Sequence, residues 1–269
     1  LRTSLRKKDG LTRLSNWQIQ WRVVDALVYR ELRTRVSTVR GGLLGALIQP
    51  VGLVLLWVGF FASINWHRGG NLNVVLYLTS GLLLFAVFAQ IANRSLNAME
   101  ANEALLFYKP VKPIDTVIAR TICETGLYAI CMLIMLVGTW FILDQIVMED
   151  FGLFVFTYLL MVIYGFCLGL IFMVVGHLYP TASQTILWVP RILWLISAIQ
   201  FRYWYLPPWT HIAFQLNPLT HCIELNRRAM TSDYFTPDAN LNYAILWAVI
   251  LLTLSLWIYR NNERKLLTL

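Results

Sequence analysis

"NRSLNAMEANEALLFYKPVKPIDTVIAR", residues 93–120, is a polar interruption between two charge-free stretches, Gly69 to Asn93 and Thr125 to Leu143. At its centre sits an apolar knot, Leu105-Leu106-Phe107-Tyr108, followed by "KPVKP" at 109–113. A bilayer core of about 30 Å takes about 20 helical residues at 1.5 Å each, and both flanks are about that long. The interruption therefore reads as a loop on one membrane face, and the rest of the chain unfolds from it as spans and loops.

Composition agrees. Of 269 residues, 58% are hydrophobic and 13% charged, about half the 25% charge typical of a soluble domain. No aqueous core absorbs that much apolar surface. Four more segments complete the reading: Gly41 to Ile64, 151–176, 184–200 and Leu241 to Tyr259. The interval Phe151 to Gln200 holds a single charge, Arg191. One helix of that length would run to about 75 Å, so "GHLYPTASQ" (176–184) is expected to turn the chain. The expectation is an all-α polytopic membrane protein of six spans. A cytoplasmic N-terminal region at 1–40 precedes the 41–259 transmembrane domain, and a cytoplasmic tail at 260–269 follows it.

Lys and Arg set the orientation. Ten of them lie in the first 40 residues, four more at Arg94, Lys109, Lys112 and Arg120, and three in the tail at Arg260, Arg264 and Lys265. The loop after the third span has only Asp144, Glu149 and Asp150. The positive-inside rule puts both termini and the 93–120 segment in the cytoplasm. Arg202, Arg227 and Arg228, in a loop expected outside, fit that rule poorly. No cleavable signal peptide is expected, because the first apolar run starts at residue 41, and the opening Leu reads as a trimmed start. The net charge of +8 suits topology and anionic headgroups better than nucleic acid.

Several activities lack their residues. No G-x-x-x-x-G-K-[ST] loop is present for ATP, and no H-E-x-x-H or G-x-S-x-G. The four histidines have no metal-ligand spacing, so neither catalytic nor metal residues are assigned. Cys123, Cys131, Cys167 and Cys222 fall mostly in spans and read as apolar filler rather than disulfides. Gly41–Gly45 and Gly165–Gly169 match G-x-x-x-G and permit close helix contact, without marking a dimer face. Residues 16–36 place Trp17, Trp21, Val24, Leu27, Val28, Leu32 and Val36 on one helical face, which predicts an amphipathic helix in the cytoplasmic interface.

"YRELRTRVSTVRGGLLGALIQP" (29–50) resembles the opening of a type-2 ABC exporter permease. The 93–120 segment, "GLIFMVVGHLYP" (169–180) and "LNPLTHCIELNRRAM" (216–230) are similar, in the same order, to capsular polysaccharide exporter permeases of Gram-negative bacteria. The resemblance implies an inner-membrane homodimer beside a separate homodimeric ATPase, which would hold the ATP and Mg2+, with no cofactor on this chain. It implies a lipid-linked acidic polysaccharide as cargo, and a periplasmic adaptor and outer-membrane exporter as further partners. It also makes 99–113 a coupling segment, in which Glu103, Leu105, Leu106, Phe107, Tyr108 and Lys109 meet the ATPase. An O-antigen or teichoic-acid exporter is the alternative within the superfamily. A membrane-embedded glycosyltransferase would need an acidic catalytic cluster, which is absent.

Two further sets of residues follow from charge and aromatic density. Arg30, Arg33, Arg35 and Arg40 offer guanidiniums at headgroup level that would admit an anionic lipid-linked glycan. Trp188, Arg191 and Trp194, three apart, share a side of the fifth span and are expected on a channel wall. Phe201, Tyr203, Trp204, Tyr205 and Trp209 are expected at the channel's external mouth, on a re-entrant pair of helices at 201–232. The competing arrangement turns the tryptophans to lipid, as part of an interfacial aromatic belt, and pairs Arg191 with Glu124 or Glu224 within the protomer.

Overall fold

The computed structural model describes residues 15–38, 42–64, 72–106, 108, 110–143 and 148–266. Five described helices are long and apolar enough to cross a membrane: α2 (Gly42–Ser63), α3 (Val74–Ser95), α5 (Pro113–Leu143), α6 (Phe151–Leu178) and α11 (Leu241–Leu266). They are joined by α1 (Asn16–Thr38), the one-turn α4 (Glu103–Leu106) and four short helices between α6 and α11. Those four are α7 (Ser183–Ile186), α8 (Trp188–Leu195), α9 (Pro208–Leu216) and α10 (Pro218–Met230).

Side chains at the helix starts explain where they begin. Ser15 and Gln18 form a reciprocal capping box at α1, with Ser15 N donating to Gln18 Oε1 (3.0 Å) and Gln18 N to Ser15 Oγ (3.3 Å). Asn73 accepts from Val75 N at α3, Asp150 from Leu153 N at α6 and Asn217 from Leu219 N at α10. At α5, Pro113 takes the first helical position, where its missing N–H costs nothing, and Asp115 accepts from Lys112 N at 2.8 Å. Proline thus begins α5 as well as closing the coupling segment. The helix runs 31 residues, about 46 Å, so residues 113–124 extend the expected third span toward the basic end.

The expected fifth span, 184–200, is broken. Pro190 cannot donate to the carbonyl of Ile186, and the helix interrupts at Leu187 between α7 and α8. Residues 196–202 are irregular, and Ala198 takes a left-handed φ of 50°. Alone, α8 is about 12 Å long and cannot cross a bilayer.

Helices α3 and α6 form the centre, with 72% and 61% of their apolar windows buried, against 17% for both α2 and α11. Close approach of α3 and α6 needs small residues: a Cβ on Gly169 would lie 2.7 Å from Ser95 Oγ, and one on Gly165 would lie 3.0 Å from the Phe88 carbonyl. The Gly165–Gly169 pair is therefore consumed inside the protomer. Tyr158 OH donates to Thr125 O (2.7 Å) and Tyr164 OH to Ala244 O (2.5 Å), fastening α6 to α5 and α11. A second apolar cluster closes the basic end, where Ala98, Met99, Val117, Val174, Tyr259 and Leu266 meet. At the far end Glu149 N and Asp150 N donate to Ala229 O, and Glu149 accepts from Ser232 N. Hydrogen bonds from the Ser232 side chain and backbone hold the Glu149 carboxyl below the usual carboxylate range.

Glycines on the two kinds of face should respond with opposite sign. A Cβ on Gly52 in α2 meets nothing within 4 Å, so Gly52→Ala should gain up to about 1 kcal/mol of helix propensity. Gly169→Ala should lose roughly 1–3 kcal/mol to overpacking. Thermal unfolding of the purified variants checks both.

Candidate functional site

Charge organises the basic end. Helix α1 turns Val24 and Leu27 into the protein, with Glu31 and Arg35 following at helical spacing. Trp17, Trp21 and Leu32, expected on the same apolar face, are instead exposed. The inward face carries ion pairs. Glu124 of α5 is 1% exposed and accepts from both Arg35 and Arg94, the latter at 2.6 Å. Glu31 pairs with Arg94 at 3.2 Å and with Arg120 at 3.7 Å, while Arg120 also donates to the Arg94 carbonyl. Three helices, α1, α3 and α5, are locked by three arginines and two glutamates.

Arg30 extends the lock to the 98–102 turn, at the start of the segment expected to couple. Its Nη1 donates to Asn102 Oδ1 and its Nη2 to Ala101 O, both at 2.7 Å, while Asn102 Nδ2 donates to Ala98 O at 2.8 Å. Of the coupling residues, Glu103 is exposed and Tyr108 is 64% exposed, whereas Leu106 packs into this chain's own basic-end cluster. Leu105 lines a groove of about 420 Å³ between α1 and the coupling segment, with Val23, Leu27, Arg30 and Val111. Phe107, Lys109 and Arg40 lie outside the described residues. Arg33 is exposed, while Arg30 and Arg35 spend their guanidiniums inside the protomer.

A second polar knot sits toward the far end. Arg227 of α10 is fully buried. Its Nη1 donates to Glu224 Oε1 (2.8 Å) and Ala198 O (2.9 Å), its Nη2 to Ile199 O (2.6 Å), and the guanidinium lies 3.6 Å from the centre of the Tyr77 ring. Asn217 Nδ2 and Thr220 Oγ1 donate to Ile196 O. These side chains satisfy the carbonyls that the irregular 196–199 segment would otherwise leave bare. Gly81 gives the segment room, since a Cβ there would lie 2.6 Å from Ile199 O and 2.8 Å from Arg227 Nη2. The misfit of Arg227 with the positive-inside pattern has a physical reason: it is a buried clamp, not a solvated charge. Arg202 likewise lies over the Tyr234 ring at 4.2 Å.

The residues expected along a channel divide. Phe201, Tyr203 and Trp204 pack with Phe214 into a small cluster, in which Tyr203 and Phe214 stack at 5.5 Å. Tyr205 and Trp209 are exposed. Trp188, Arg191 and Trp194 do share a side: the Arg191 guanidinium lies 4.9 Å from the Trp188 ring centre, and Arg191 and Trp194 line one recess. Glu124 and Glu224 are taken by Arg35, Arg94 and Arg227, so the pairing of Arg191 with either is not formed. Helical spacing could have found the Glu224–Arg227 pair, but not Arg227, Asn217 and Asn102 as organisers, because each also bonds a backbone carbonyl. Among the described residues no group of three His, Cys, Asp or Glu side chains converges for a metal.

Residues 22–231 match the family model described as ABC-2 type transporter. The chain is 34% identical over 256 residues to the polysialic acid transport protein KpsM of Escherichia coli, covering 94% of this chain and 98% of that one. It is 25% identical to the capsule polysaccharide export inner-membrane protein CtrC of Neisseria meningitidis, over 90% and 92% of the two chains. It is 22% identical to BexB of Haemophilus influenzae, another capsule polysaccharide export inner-membrane protein, over 95% and 97%.

The two knots should answer to charge removal differently from the exposed arginine. Glu124→Gln strips Arg35 and Arg94 of their shared carboxylate. It should cost about 2–3 kcal/mol, below the 3–5 of a fully buried pair because Arg94 keeps partial exposure. Arg227→Met leaves Ala198 O and Ile199 O without donors and should cost at least as much. Arg33→Gln should stay within about 0.5 kcal/mol. Thermal unfolding in one detergent ranks the three.

Proposed function

Because this chain belongs to the ABC-2 type transporter family, we propose that it is the membrane-spanning permease of a capsule polysaccharide exporter in the bacterial inner membrane. The observation that carries the reading is alignment over nearly the full length of both chains with the polysialic acid transport protein. The names of CtrC and BexB favour capsule over O-antigen or teichoic acid. The chain is a transporter subunit and not itself an enzyme. A separate homodimeric ATPase would hold ATP and Mg2+, a reading supported by the lack of a phosphate-cradling loop in this sequence.

In this reading the protein works as a homodimer with both termini in the cytoplasm. The broken segment 184–200 completes six crossings, 201–232 is an external re-entrant element, and α1 lies in the cytoplasmic interface. The largely exposed sides of α2 and α11 would face lipid or the second copy. The coupling segment meets the ATPase through Glu103 and Tyr108, with Phe107 and Lys109 beside them. Arg30 is the device that carries its movement to α1, since it holds Asn102 and Ala101 directly. Through Arg35, Glu124 and Arg94 the movement reaches α3 and α5. The cargo is an acidic polysaccharide linked to lipid, admitted near Arg33 and Arg40 and delivered to a periplasmic adaptor and an outer-membrane exporter.

Deletion of the gene in its host should leave polymer inside the cell, and the wild-type chain should restore surface capsule. Unchanged surface capsule after deletion would sink the reading. Within it, Tyr108→Asp should lower export and ATPase copurification at normal abundance. Leu106→Asp should instead lower abundance, because Leu106 packs into the chain's own cluster.

A further inference from the structure

Arg191 is the single charge of the apolar interval from Phe151 to Gln200. It forms no ion pair or hydrogen bond among the described residues, its one close partner being the Trp188 ring. It opens onto a recess of about 200 Å³ lined by Phe85, Ala89, Asn93, Pro190 and Trp194. Asn93 is the only other polar side chain there. Its amide makes no hydrogen bond, and its Oδ1 is buried without a partner. The guanidinium and the Asn93 Nδ2 are unused donors on one recess, suited to an oxyanion, while the buried Oδ1 is an acceptor suited to a sugar hydroxyl.

Depth narrows the ligand. Asn93 adjoins Arg94, whose side chain belongs to the ion-pair lock at the basic end of α3. Phe85 lies eight residues further along, about 12 Å deeper. The recess therefore starts at the charged end of the bundle and continues into apolar surroundings. With its face stacked on Trp188, the guanidinium keeps its N–H edges free for a two-toothed grip on an oxyanion. Trp194 presents a ring beside it, which suits the C–H face of a sugar. One unpaired cation matches one negative charge, whereas a run of sugar carboxylates would call for several.

We propose that Arg191 and Asn93 Nδ2 bind a phosphodiester at the junction of lipid and glycan in the exported molecule, with Trp194 against the first sugar. The inference rests on the capsule-exporter reading and specifies its substrate contact. The oxyanion has two possible sources, the glycolipid and an ordinary anionic phospholipid, and the experiment separates them.

The intact permease, in nanodiscs of zwitterionic lipid, is titrated with three fluorescent probes. These are a lysophosphatidylglycerol extended by a short oligosaccharide, the same lipid without saccharide, and an alkyl oligosaccharide without phosphate. The saccharide-bearing phosphodiester should bind wild type about tenfold or more tightly than R191Q, the worth of a charge-assisted hydrogen bond. N93A should weaken it severalfold, and R191K should fall between wild type and R191Q, keeping charge without the fork. The phosphate-free probe should bind weakly and ignore all three substitutions. Because Arg191 is exposed, unfolding temperatures should not move, and N93A and R191K test the site independently should R191Q misfold. Equal, Arg191-dependent binding of the plain phospholipid would make this a bulk-lipid site and overturn the assignment, as would indifference of every probe to R191Q. Capsule restoration by the wild-type gene is scored in parallel. Export without Arg191 dependence removes the site alone, whereas absence of any export role removes the function it rests on.

Discussion

A chain that leaves the helix within an apolar bundle must satisfy its own backbone, because no water is there to do it. Here the chain leaves it at 196–202, between α8 and the pair α9 and α10. Arg227, Asn217 and Thr220 close the account for Ile196, Ala198 and Ile199. Much else follows from that closure. The left-handed Ala198 is held by a carbonyl contact to Arg227, α3 carries glycine where the segment crosses it, and α10 is pulled into the bundle with 11 of its 13 residues buried. Glu224 and the Tyr77 ring stabilise the buried guanidinium, so the clamp is not left as an isolated charge.

The basic end obeys the same rule with a different result. Glu124 and Glu31 are too deep to stand alone, and the arginines that compensate them come from three helices. A network of this kind contributes less to stability than to specificity of arrangement. It fixes the angle at which α1 leaves the bundle and binds the 98–102 turn to α1 through Arg30. The turn is thus held by a stiff polar linkage and is not a loose loop. The basic-end apolar cluster, which includes Leu106 and the end of α11, makes the contact stiffer still.

Both knots separate residues with a role in arrangement from residues free for encounter. Arg30 and Arg35 are occupied within the protomer, and Phe201, Tyr203 and Trp204 largely pack on one another. What is left over includes Arg33 on α1, Tyr108 before α5, Tyr205 and Trp209 near the far end, and Arg191 with Asn93 in their recess. Unspent polar groups are more informative about function than the wider clusters they were drawn from.

Uncharged runs were enough to locate α2, α3, α6 and α11 within a few residues or, at α11, one polar extension, because a bilayer permits few lengths and each run is counted locally. The one-turn helix at Glu103 was legible from Pro110 and the apolar knot before it. The expected amphipathic stripe on α1 was only half right, since helical spacing says which residues share a face but not which neighbour or solvent that face meets. The fifth span is not one continuous helix for a related reason: its 184–200 run is apolar enough, but Pro190 breaks the helix at Leu187 and Arg227, 36 positions beyond Arg191, supplies the donors that let 196–199 stay unwound. Local composition thus determined that this protein crosses a membrane and where its main spans lie. Only the tertiary structure decided which charges are clamps and which are free, because a hydrogen bond between distant side chains and bare carbonyls leaves no periodic trace in the chain.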